Sequence, residues 1–257
     1  MKQAESLPMS HHFVEYVHDD RLYQDSCYIP DAYQGELPIV LIIPDYHGAT
    51  QYAENEAQAL AELGYIGYCV DFYGERAMPR SSQEAGNLIV PFIDDRIKAL
   101  NRNLTALKKA KELDCASRQK VAAIGFSSGG MFALDMARRV SSMKGVICIW
   151  GLLIPWQLRP FPMIEANVEG PKVLILQGTD DIFNPLENIF GIIHEFDASG
   201  IDYQLILLGG QKHAFSLRPE QNLEVSSGED PKALLYNSLA DLRSHQYTNN
   251  FLSELFL

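Results

Sequence analysis

Basic residues are in short supply: Lys and Arg number 21 against 33 Asp and Glu, for a net charge of −12. Such a balance repels nucleic-acid phosphates and anionic membrane surfaces alike, so with no basic stripe along the chain neither partner is expected. Cysteine is also scarce. The four present, Cys27, Cys69, Cys115 and Cys148, form no C-x-x-C pair, and two of them sit inside apolar runs, which reads as buried free thiols rather than disulfides or metal ligands. No stretch approaches the ~20 consecutive apolar residues that a membrane-crossing helix needs. The opening MKQAESLPMS has no apolar segment before a small-residue cleavage site, so a secretory signal is not read there and a cytoplasmic location is expected. Repeats, low-complexity tracts and linkers are missing too. A chain of 257 residues that is 47% hydrophobic suits one domain over 1–257, with 1–12 as a candidate flexible tail.

What is present is a rhythm of short apolar runs and helical spacings. From Phe13 to Pro30 the pattern alternates around His18-Asp19-Asp20-Arg21, predicting an antiparallel hairpin. PIVLII from Pro38, the run Ile66 to Phe72, VAAIGF from Val121, VICIW from Val146, VLILQ from Val173 and YQLILL from Tyr203 are continuous apolar segments, as strands buried on both faces should be. Between them, Ala53, Ala57, Leu60 and Ala61 recur at helical spacing, and Ile93, Ile97, Leu100, Leu104 and Leu107 predict a long helix starting near Pro91. Further helices are expected near 130–140, 186–198 and 231–257. The alternation predicts an α/β fold with a mainly parallel sheet covered on both faces.

Gly125-Phe126-Ser127-Ser128-Gly129 matches G-x-S-x-G directly after a predicted strand and before a helix. On that sharp turn a serine is held in a strained backbone with its hydroxyl exposed, and the flanking glycines avoid collisions. The competing readings are a phosphate-binding turn and a turn without chemistry. A serine hydroxyl needs a base, and the base an orienting carboxylate. In hydrolases of this pattern the chain order is nucleophile, acid, histidine. Thr179-Asp180-Asp181 follows VLILQ, and the glycine-rich loop carrying His213 follows YQLILL. Asp181 is preferred as the acid because Asp180 suits turn capping; either fits the pattern. His213 is the base by order, and His47, near an earlier strand end, breaks that order. The tetrahedral intermediate needs two N–H donors, read as those of Ser128 and of Tyr46 in the loop Pro44-Asp45-Tyr46-His47-Gly48.

These segments, namely the entry hairpin, PIVLIIPDYHG, GYIGYCVDFYGE, GFSSGG, GTDDIFNP and GGQKHAF, stand in the order of the dienelactone hydrolase (carboxymethylenebutenolidase-like) family of α/β-hydrolases, which the chain resembles nearly end to end. The resemblance implies Ser127 as nucleophile, Asp181 as acid, His213 as base, and Tyr46 and Ser128 as oxyanion donors. The best-known members of that family carry cysteine at the elbow and an early loop glutamate that interacts with the thiol, where this chain has Ser127 and Asp45. That exchange favours hydrolysis of carboxylic esters or lactones in general over the family's named substrate. Asp45, Arg76 and Trp150 are candidate substrate contacts, and Tyr73, Phe126, Trp150 and Trp156 could line an acyl pocket. Leu152 to Pro162 reads as a short cap or a plain loop. No cofactor or metal is expected, and the partner expected is a small ester or lactone. A peptidase with the same triad and an inactive binding protein on the same fold are the alternatives.

Overall fold

The computed structural model describes residues 8–155, 170–221 and 236–257. Its strands are β1 (Met9–His18), β2 (Arg21–Pro30), β3 (Leu37–Ile43), β4 (Ile66–Cys69), β5 (Ala116–Phe126), β6 (Gly145–Ile149), β7 (Lys172–Gly178) and β8 (Tyr203–Leu208). They form one sheet in the order β1-β2-β4-β3-β5-β6-β7-β8. β1 and β2 are an antiparallel hairpin, β2 lies antiparallel to β4, and β3 to β8 run parallel. The hairpin turn is Asp19-Asp20, both at positive φ, a conformation that short polar side chains tolerate and that matches the twist of paired strands.

The continuous apolar runs are explained by two cores, one on each face of the sheet. Side chains alternate along a strand, so Ile39, Leu41, Val121, Ala123, Val146, Val173 and Ile175 enter one core. Their neighbours Val40, Ile42, Ala122, Ile124, Ile147, Leu174 and Leu176 enter the other. Each such valine, leucine or isoleucine, fully withdrawn from water, contributes about 1.5–3 kcal/mol before entropy is counted. Helices α2 (Ser82–Asp94), α3 (Arg96–Ala110), α4 (Ser128–Ala137) and α5 (Leu186–Ser199) cover the first core, while α1 (Gln51–Glu62) and α6 (Ser238–Phe256) cover the second. No described helix is long and apolar enough to cross a membrane.

Three expectations need correction. The helix expected from Pro91 starts at Ser82, capped by Ser81 accepting from the Glu84 N–H, and holds Pro91 inside it. A second helix starts after Asp95, whose side chain accepts from the Lys98 N–H; the proline leaves an N–H out of the helix, and the break follows within a turn. Residues 9–12, placed in the candidate tail, pair with Cys27 to Pro30 in β1. The helix expected over 231–257 begins at Ser238 and turns Leu239 and Leu242 outward, both more than half exposed, while it buries Phe251 and Leu252; residues 231–235 lie outside the described residues.

The chain passes from β3 to β4 on one side and then returns across β3 to β5 on the other. Winding therefore reverses at the boundary between β3 and β5, and the loops leaving their carboxyl ends diverge. In open α/β sheets that crevice is where ligands bind. The loop after β3 carries Asp45 to Gly48, and β5 ends at Phe126, one residue before Ser127.

Candidate active site

Ser127 has φ 51° and ψ −119° at the N-cap of α4, backbone angles that a non-glycine residue adopts only where its surroundings impose them. The surroundings here are tight. A Cβ on Gly129 would lie 2.2 Å from the Ile43 carbonyl oxygen and 2.3 Å from that of Pro44, and one on Gly125 would lie 2.1 Å from the Gly129 oxygen. Only glycines allow strand end, helix start and the loop after β3 to approach this closely.

The structure brings three of the sequence candidates into one line. Ser127 Oγ lies 2.9 Å from His213 Nε2, and His213 Nδ1 lies 2.8 Å from Asp181 Oδ2. All three side chains are buried. A carboxylate only accepts, so the His213 Nδ1 carries the proton and Nε2 presents its lone pair to the serine hydroxyl. Asp180 is exposed, and among the described residues its carboxylate meets only the Thr179 hydroxyl, at 3.3 Å. The turn-capping side chain is Asp181 itself, whose Oδ1 accepts the Phe183 N–H at 2.9 Å.

Two further residues that sequence reasoning passed over hold Asp181. Gln177 Nε2–H and Asn184 Nδ2–H donate to its Oδ2 at 2.6 and 2.9 Å. Burial alone would raise the Asp181 carboxyl, but the hydrogen bond and charge of His213, then Asn184 and the Phe183 N–H, bring it below its ordinary value. Asn184 also donates to the Gly151 carbonyl at 2.8 Å and accepts the Leu153 N–H at 2.6 Å, tying the loop after β6 to Asp181. Gln177 had a signal, a polar residue closing an otherwise apolar run; Asn184 had none beyond its place in the loop.

Trp150 lines the cavity with Ser127 and His213. Its ring meets His213 edge-on at 5.3 Å, and Phe183 does so from another direction at 4.8 Å. The indole N–H donates to Ser216 Oγ at 2.7 Å, and Ser216 is also 2.8 Å from the Tyr52 hydroxyl. Ser127, Trp150 and Ala214 are all non-glycine residues with positive φ, so strained backbone gathers around the same imidazole. Phe126 and Tyr73 are core residues; the Tyr73 hydroxyl donates to the Tyr46 carbonyl at 2.7 Å and holds that loop. Trp156 and the greater part of the expected cap lie outside the described residues.

Tyr46 also lines the cavity, and Ser128 opens α4, where first-turn N–H groups have no partner within the helix and face outward. Asp45 is in the cavity wall, with its carboxylate turned to His47. Arg76 is not brought there. Its guanidinium pairs with Glu54 at 2.7 Å, donates to Ser26 Oγ at 2.9 Å, and lies over the Phe13 ring at 4.8 Å, which makes it a brace between the entry hairpin and α1.

A parallel sheet with helices on both faces, an antiparallel entry hairpin and a serine on the turn after its central strand define an α/β-hydrolase. The dienelactone hydrolase family model matches residues 26–256, and the chain belongs to that family. Caenorhabditis elegans protein K02A2.1 is 30% identical over 152 residues, 59% of this chain and 90% of that protein. A probable 2-oxo-3-(5-oxofuran-2-ylidene)propanoate lactonase of Bradyrhizobium sp is 28% identical over 187 residues, 70% of this chain and 74% of the relative. Among solved structures, the dienelactone hydrolase-like promiscuous phosphotriesterase P91 from metagenomic libraries is 26% identical with TM-score 0.86, covering 97% of this chain and 99% of that one.

Proposed function

We propose that this chain hydrolyses carboxylic esters or lactones of small substrates through an acyl-enzyme on Ser127. The observation that carries the reading is the unbroken line of hydrogen bonds from Ser127 Oγ through His213 to Asp181. As Ser127 attacks the carbonyl carbon, His213 Nε2 takes the hydroxyl proton, and the buried Asp181 carboxylate stabilises the imidazolium. The Tyr46 and Ser128 N–H groups receive the developing oxyanion. The imidazolium then protonates the leaving alcohol, and water repeats the sequence on the acyl-enzyme. In a lactone the same bond opens, with the alcohol retained on the acyl group. The lactonase relative supports keeping lactones within the substrate class.

Hydrolysis of p-nitrophenyl acetate and butyrate tests the reading. Ser127→Ala should lower kcat/KM by about 10⁵-fold and abolish labelling by a fluorophosphonate; unchanged turnover in the folded variant refutes the serine mechanism. A chromogenic peptide panel should show no cleavage.

A further inference from the structure

A second imidazole sits in the wall of the same cavity, on the chain's other diverging loop. His47 is 4% exposed and its partner Asp45 7%. The His47 backbone N–H donates to Asp45 Oδ1 at 2.8 Å, and the ring Nδ1 lies 3.2 Å from the same oxygen. Nδ1 therefore carries the proton in the neutral ring, and Nε2 is left with a lone pair. Among the described residues that buried Nε2 has no hydrogen-bond partner. A buried polar atom left in that condition costs roughly 1–3 kcal/mol, a cost that a bound hydrogen-bond donor would offset.

The space beside it restricts what the ligand can be. The cavity shared by His47, Tyr46, Ser127 and His213 measures about 20 Å³. One water needs about 10–15 Å³ and two or more polar partners, so the space is enough for one water. Tyr46 packs its ring 4.1 Å from the imidazole of His47, which limits rotation away from Asp45.

We infer that His47, oriented by Asp45, positions the water that hydrolyses the acyl-enzyme, its Nε2 accepting one water hydrogen while His213 Nε2 takes the other as a proton. The inference rests on the serine acyl-enzyme reading above. The water oxygen bonds to the acyl carbon and its second proton passes to His213. The bond from that carbon to Ser127 Oγ then breaks, His213 returns the proton to Oγ, and the carboxylic acid leaves. His47 exchanges no proton, so it is a positioning residue rather than a second base.

Stopped-flow kinetics with p-nitrophenyl acetate, combined with intact-mass measurement of acid-quenched samples, separates acylation from the water step. His47→Phe should keep the rate of the first p-nitrophenol release within about twofold and slow the steady state by about 10-fold to 100-fold, the scale for a misplaced reactant. Its acetylated fraction should exceed that of the wild type. His47→Gln, which can present an amide oxygen near the Nε2 position, should recover most of the steady-state rate. Equal losses in both phases, no loss in either, or a His47→Gln variant no better than His47→Phe overturns the inference. The serine reading fails in a different way: no acetyl mass on wild-type protein, with turnover persisting in Ser127→Ala.

Discussion

Helix α4 has two ends that treat buried charge in opposite ways. At its start, Ser127 faces His213, and the nearby carboxylate of Asp181 is satisfied by neutral donors and a single imidazole. At its end, Asp135 is bound by both Arg96 and Arg138, and Arg138 also pairs with Glu195 from α5. Two guanidinium groups against two carboxylates make that cluster neutral in sum. Burial would lower Arg138, but Glu195 and Asp135 hold it above its usual value. One end pairs charge with charge and pins α3, α4 and α5 together; the other pairs a carboxylate with an imidazole. Buried ion pairs of the first kind are maintained because removing one member strands the other. A carboxylate facing an imidazole is the arrangement that chemistry requires.

The sharpest way to break the contrast is Asp181→Asn. It leaves shape intact but cannot hold His213 in the required tautomer, so kcat/KM for p-nitrophenyl butyrate should fall by about 10⁴-fold while the protein stays folded. Arg138→Met should do the reverse. It leaves Asp135 and Glu195 short of a charge partner and should cost about 3–5 kcal/mol in urea unfolding, with activity per folded molecule retained. A smaller effect separates the two ends by pH. Asp181's folded carboxyl lies below its unfolded value, so its stabilisation is full above the ordinary 3.8 and is lost as pH falls through the folded value. The stability gap between wild type and Asp181→Asn in thermal melts should therefore shrink from pH 6 to pH 3. The smallest effect is expected from thiol reagents. Burial pushes Cys148 up to about 12, so iodoacetamide should leave esterase turnover unchanged.

Much of this could be read along the chain, for a physical reason. Strands with both faces covered must be apolar throughout, so PIVLII and VLILQ announce themselves and the loops after them follow. Pro91 misled because proline is well tolerated in a helix's first turn; α2 begins nine residues earlier, at the cap that Ser81 provides. The choice between Asp180 and Asp181 depends on which way a turn points one side chain, a distance that spacing does not encode. His47 was set aside by chain order, yet β3 and β5 are neighbours, so its loop lies against the elbow. Arg76 showed the opposite failure: an arginine near a strand end whose partner, Glu54, is on another element.

The contact of Gly129 with the Ile43 and Pro44 carbonyls has a consequence for redesign. The spacing between the Ser127 turn and the loop after β3 is set there by main chain against main chain. Swapping the residues that rim the cavity should therefore retune which acyl groups are accepted while the reacting geometry stays put. A single methyl at position 129 would instead jam the two loops apart, and with them every substrate at once.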